Sequence, residues 1–122
     1  MKIHHIGYLV KHVERAQRAL ETLGFSVVQQ KVRDELRKID VEFLEKDGYC
    51  IELVSPCETD SVVSELRTRI GNSPYHICYE VEDIDSEVMR LRNSCWVVSS
   101  GLMAAPALGG AGFVSLFIRI LV

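Results

Sequence analysis

Apolar and polar positions alternate through KIHHIGYLV (residues 2–10), with Ile6, Tyr8 and Val10 on one face and His5, Gly7 and Leu9 on the other. That period of two predicts a strand. The period then changes. Val13, Ala16, Ala19, Leu20 and Leu23 recur at three- and four-residue intervals, predicting an amphipathic helix from His12 to Leu23 that Gly24 closes. FSVVQQKV predicts a second strand, and KIDVEFLE, with Ile39, Val41 and Phe43 set against charged neighbours, a third. Asp47 and Gly48 supply the positive φ of a tight hairpin turn before a fourth strand, YCIELVS. Residues 1–55 therefore read β-α-β-β-β.

A linker over 56–73 follows, in which Pro56 ends the strand, SVVSELRTRI makes a short helix and GNSP begins the exit. The same order then restarts over 74–122. YHICYEV is a strand, DIDSEVMRLRN a helix with Ile84, Val88 and Leu91 inward and Asp83 or Asp85 near its N-cap, and CWVVSS a strand. GLMAAPALGGAG reads as a flexible loop and FVSLFIRILV as one further strand. The two halves also share residues. HHIGYLVKHVE and YHICYEVEDID superpose at an offset of 71, matching His5 with His76, Ile6 with Ile77, Tyr8 with Tyr79, Val10 with Val81 and Val13 with Ile84. Gly7 matches Cys78. At this offset Glu52 projects one place beyond Val122, and no Asp or Glu follows Glu87. The second unit is accordingly expected to lack its last strand.

Composition narrows the class. With 122 residues, 48% hydrophobic content and 25% charged, the chain has the makeup of one globular domain with a real core. The formal charge of −3 and the lack of a basic run argue against nucleic acid as a partner. No stretch of about 18 uncharged apolar residues predicts a membrane span, and no signal peptide is evident. Cys50, Cys57, Cys78 and Cys95 form no CxxC and are read as reduced thiols of a cytoplasmic protein.

A duplicated β-α-β-β-β unit whose first strands both carry histidine resembles the vicinal oxygen chelate superfamily, which includes glyoxalases, methylmalonyl-CoA epimerases, extradiol dioxygenases and bleomycin-resistance proteins. HHIGYLV, IELVSP and SPYHICYEVEDI look most like its epimerase and lactoylglutathione lyase branch. The resemblance implies an α+β fold in which two βαβββ units form a curved open barrel around a divalent metal. It implies His5 on the first strand, Glu52 on the fourth and His76 on the fifth as metal ligands. Two imidazoles and a carboxylate suit Zn, Mn, Co, Ni or Fe alike.

A single strand histidine is most often a hydrogen-bonded structural residue. Two at repeat-equivalent positions, beside a glutamate inside the apolar CIELV, shift the balance toward metal. A carboxylate in such a strand costs on the order of several kcal/mol unless partnered. His4 is expected on the opposite face from His5, as a structural residue, and His12 in solvent at a helix start. Cys50 and Cys78 lie two residues from proposed ligands on the same faces, where small side chains leave room in a cleft. The fourth carboxylate of the family pattern has no counterpart here, so water or substrate would fill its place.

The resemblance implies an enzyme: a metal-dependent lyase or isomerase that removes a proton α to a carbonyl in a small α-oxygenated carbonyl compound or its thioester. Its base would come from VRDELRKID, where Glu35 stands nearest the required position. With the second carboxylate missing, impaired activity is one expectation. A non-catalytic small-molecule binder of the bleomycin-resistance type, or an inactive degenerate member, is the alternative. A homodimer is expected to cover the edge left by the missing strand, with FVSLFIRILV near the interface.

Overall fold

The computed structural model describes residues 1–94, 96–98, 103–108, 111–113 and 116–118. Its elements are β1 (Lys2–Leu9), α1 (Val13–Glu21), β2 (Ser26–Asp34), β3 (Ile39–Lys46), β4 (Tyr49–Pro56), α2 (Ser64–Ile70), β5 (Ser73–Glu80), α3 (Ile84–Arg92) and four three-residue strands, β6 (Trp96–Val98), β7 (Met103–Ala105), β8 (Ala111–Phe113) and β9 (Leu116–Ile118). The fold is mixed α+β. The chain forms two compact units, one of Ile3–Tyr79 and one of Met1–Lys2 with Glu80–Val122.

The larger unit is built on a curved, open five-stranded sheet in the order β2-β3-β4-β1-β5. β3 and β4 pair antiparallel in unbroken register from Ile39↔Pro56 to Lys46↔Tyr49, joined by Asp47 and Gly48 at φ 53° and 81°. Positive φ at both centres makes this a type I′ turn, whose twist matches that of the strands and which Asp-Gly readily adopts. β1 pairs parallel with β4, Gly7 lying opposite Glu52, and this needs the long excursion through α1, β2 and β3 between them.

α1 lies on one face of this sheet, where Val10, Val13, Leu44 and Leu53 form a buried cluster packed by Tyr8, Ala16, Leu20, Phe25, Val27 and Ile51. The helix ends at Glu21, two residues before the expected Leu23, with Gly24 in the closing turn. Gly24 adopts φ 93° while the amides of Leu23, Gly24 and Phe25 take up the carbonyls of Leu20 and Glu21. Ala19 and Leu23, expected inward, are instead exposed, Leu23 because it lies beyond the end of the helix at Glu21. The alternation of β3 also misleads at one position. Glu42, expected in solvent with the other charged residues, is 2% exposed because α1 covers that face.

In the second unit Asp83 caps α3, its carboxylate accepting from the amides of Asp85 and Ser86 at 3.1 and 3.2 Å. The expected loop over 101–112 is a correction. β7 and β8 pair there as a hairpin, Met103↔Phe113 through Ala105↔Ala111, with a 3₁₀ turn at Pro106–Leu108. Small residues carry weak strand preference, and pairing overrides it. FVSLFIRILV is likewise divided: Phe113 belongs to β8, whereas Leu116–Ile118 pairs with β6. A continuous apolar run does not specify its partner strand. The expectation that the second unit lacks its last strand falls on the end of the chain, where residues 119–122 lie outside the described residues.

Candidate metal centre

The face of the sheet opposite α1 carries the site, within the larger unit. Phe43, Glu52 and Gly7 form one row across β3, β4 and β1. His5 lies two residues before Gly7 and therefore on the same face. β5 flanks β1 on its other side, and the His76 ring lies directly over Gly7. A Cβ at Gly7 would overlap that ring, standing 2.5 Å from Nε2 and closer to its neighbours. Glycine at this position is what lets His76 reach across β1.

His5, Glu52 and His76 converge. His5 Nε2 is 2.6 Å from Glu52 Oε2 and 3.3 Å from His76 Nε2, and one ligating atom from each residue lies within 4.8 Å of the others. Adjacent ligands of an ion bound at ~2.1 Å stand roughly 3 Å apart, so a small divalent cation would need these three atoms to close from separations of up to 4.8 Å. His5 is 2% and Glu52 13% exposed, so the cluster is nearly dry on its protein side. Glu52 thus has the partner that its apolar strand required.

The electrostatics are asymmetric. Burial disfavours the charged His5 ring, but hydrogen bonds with Cys78 and Glu52 and the charge of Glu52 outweigh it, raising the pKa to about 9. In His76 burial prevails and lowers the pKa, Glu52 opposing and His5 reinforcing the shift. Tyr75, edge-on to the His76 ring at 4.4 Å between centroids, has its phenol held neutral by burial and by Glu52. Burial likewise lowers the pKa of Arg37, against the pull of Glu52 and Tyr75.

The other expected residues fall around this cluster. Neither Cys50 nor Cys78 belongs to the three-residue group. Glu35 is exposed in the turn after β2 and outside the group. Its neighbour Asp34 is buried, accepting from the Arg37 amide at 3.1 Å and ion-paired with the Arg37 guanidinium. His12 is exposed at the start of α1. His4, read as structural and pointing away, instead meets His5 with its Nδ1 at 2.7 Å from His5 Nδ1. Sequence reasoning missed Tyr75, Arg37 and this role of His4; the doubled histidine at the strand start was the one available signal.

The family model described as the glyoxalase/bleomycin resistance protein/dioxygenase superfamily matches residues 4–113. No curated protein sequence matches significantly. Among solved structures, a hypothetical protein from Bacillus halodurans C-125 is similar at TM-score 0.84 and 20% identity, over 95% of this chain and 83% of that one. A Streptomyces coelicolor methylmalonyl-CoA epimerase variant in complex with 2-nitronate-propionyl-CoA gives 0.77 and 21%, over 94% and 87%. Methylmalonyl-CoA epimerase from Mycobacterium tuberculosis gives 0.70 and 21%, over 91% and 83%. At such identities the likeness establishes the fold. With the family model spanning most of its length, the chain belongs to the glyoxalase/bleomycin resistance protein/dioxygenase superfamily, the vicinal oxygen chelate proteins.

Proposed function

We propose that the protein is a metal-dependent lyase or isomerase whose substrate is a small α-oxygenated carbonyl compound or its thioester, with a coenzyme A thioester favoured by the bound ligands of the epimerases it resembles. The observation that carries this reading is the convergence of His5, Glu52 and His76 on one point of the sheet. These residues would hold the ion, which when bound would act as a Lewis acid on a carbonyl oxygen and ease loss of the adjacent proton. The protein's own part is then to fix the three ligands, shield them on the sheet side and supply a base.

Glu35 is the proposed base. Asp34 beside it is committed to Arg37, whereas Glu35 makes no hydrogen bond or ion pair among the described residues and its carboxylate remains available. A cytoplasmic location accords with Cys50, Cys57 and Cys78 being free thiols. No helix among the described residues is long and apolar enough to cross a membrane. The proposal includes a homodimer, which light scattering at micromolar concentration tests; a monodisperse monomer contradicts it.

Purified protein should take up about one divalent ion per chain, and His5→Ala or His76→Ala should abolish that uptake, because each removes a ligand whose binding energy the site depends on. Metal-loaded protein should exchange the α-proton of a suitable thioester with solvent deuterium. Equal metal content in wild type and both variants would remove the basis of this reading.

A further inference from the structure

His4 and His5 are adjacent on β1, so alternation alone would send their side chains to opposite faces. Their rings instead meet edge to face, with centroids 5.0 Å apart and planes at 83°. Both also stand edge-on to Phe43, at 6.3 and 5.1 Å, so that one aromatic wall braces the pair. The two Nδ1 atoms are 2.7 Å apart, a hydrogen-bond distance at which one nitrogen donates to the other. The remaining ring nitrogen of His5, Nε2, faces Glu52 and His76.

A neutral imidazole carries one proton. When Nε2 binds an ion, that proton must sit on Nδ1, and the acceptor within reach is His4 Nδ1. We propose that His4 is the positioning residue of this centre, accepting the Nδ1–H of His5 and thereby fixing both the rotation of the ring and the tautomer that presents the Nε2 lone pair. The proposal rests on reading His5 as a ligand. A ligating histidine ordinarily gives its second N–H to a carboxylate, a backbone carbonyl or water. Here the partner is a second imidazole, which accepts the bond without adding negative charge, leaving Glu52 as the anionic member of the ligand group. His4 touches neither ion nor substrate and acts through His5.

The test separates this pairing from the metal reading itself. In ¹⁵N-labelled wild-type protein, without metal and again with Zn²⁺, a scalar coupling should connect the two Nδ1 nuclei across the hydrogen bond. His4→Phe keeps the edge-to-face ring but removes the acceptor, and should weaken Co²⁺ binding by about 10–100-fold with a shifted Co²⁺ absorption band. His4→Asn places an amide oxygen near the position of Nδ1 and should recover most of the affinity. Absence of the coupling, or Co²⁺ binding unchanged in His4→Phe, overturns the proposal. Loss in His4→Phe without recovery in His4→Asn also overturns it, since that is the behaviour of a packing residue. If wild-type protein takes up no Co²⁺, the metal reading fails, and the coupling in metal-free protein alone decides whether His4 holds His5.

Discussion

Gly7→Ala isolates the geometry on which the proposed centre depends. The new Cβ would stand 2.5 Å from His76 Nε2. The nearest ring atom, Cε1, would stand at 2.0 Å, and ordinary contact needs ~3.5 Å, so the ring must retreat by about 1.5 Å. Metal–ligand distances tolerate only about 0.2 Å, and His76 would therefore be lost as a ligand. The expected result is a fall in Co²⁺ or Zn²⁺ affinity of about 100-fold or more, or ~2.8 kcal/mol at the 1.4 kcal/mol that each tenfold represents. Folding stability of the metal-free protein should move by less than about 1 kcal/mol. The displaced atoms end a side chain that can rotate away, Gly7 does not have positive φ, and alanine removes freedom from the unfolded chain. Calorimetric metal titration measures the first quantity and thermal or urea denaturation the second. A double-mutant cycle sharpens the comparison, since in a His76→Ala background Gly7→Ala should cost almost no further affinity. Unchanged affinity in the single variant would refute the reasoning, as would a loss of several kcal/mol in metal-free stability.

Three other outcomes follow from the site and its surroundings. The proton that His5 holds up to a pKa of about 9 must leave before an ion binds Nε2, so metal affinity should rise roughly tenfold per pH unit from neutrality and level off above pH 9; a flat titration between pH 6.5 and 9 contradicts this. Glu42 is buried beneath α1 with Oε1 unpartnered among the described residues, and its pKa is raised by burial first and by Glu14 and Glu21. Its stabilising contribution is present below its unfolded pKa near 4.5 and fades as pH rises through the raised folded value. Glu42→Gln should therefore gain about 1 kcal/mol at pH 7 and little at pH 4, read from paired melts. If Glu35 is the base, Glu35→Gln should slow α-deuterium exchange by about 10²–10⁴-fold with metal affinity unchanged, and an unaltered rate would remove it from the mechanism.

Much of the larger unit was legible because its elements are local. The order β-α-β-β-β follows from hydrophobic periods, from Gly24 and from the Asp-Gly turn, all of which act within a few residues. The offset of 71 that pairs His5 with His76 is likewise present in the chain alone, and with Glu52 it named the three residues that the sheet brings together. Where the chain misled, a distant partner decided. Glu42 alternates as a solvent residue but is covered by α1, and the short segments Met103–Ala105 and Ala111–Phe113 become strands only by pairing with each other. Glu35 and Asp34 differ by one place in sequence, yet burial and Arg37 claim Asp34 and leave Glu35 exposed. Alternation separated His4 from His5, and it took Phe43, from a strand some 40 residues on, to brace both rings so that their nitrogens meet. Periodicity assigns a side chain to a face, but what it touches there depends on the strand or helix that tertiary packing lays beside it.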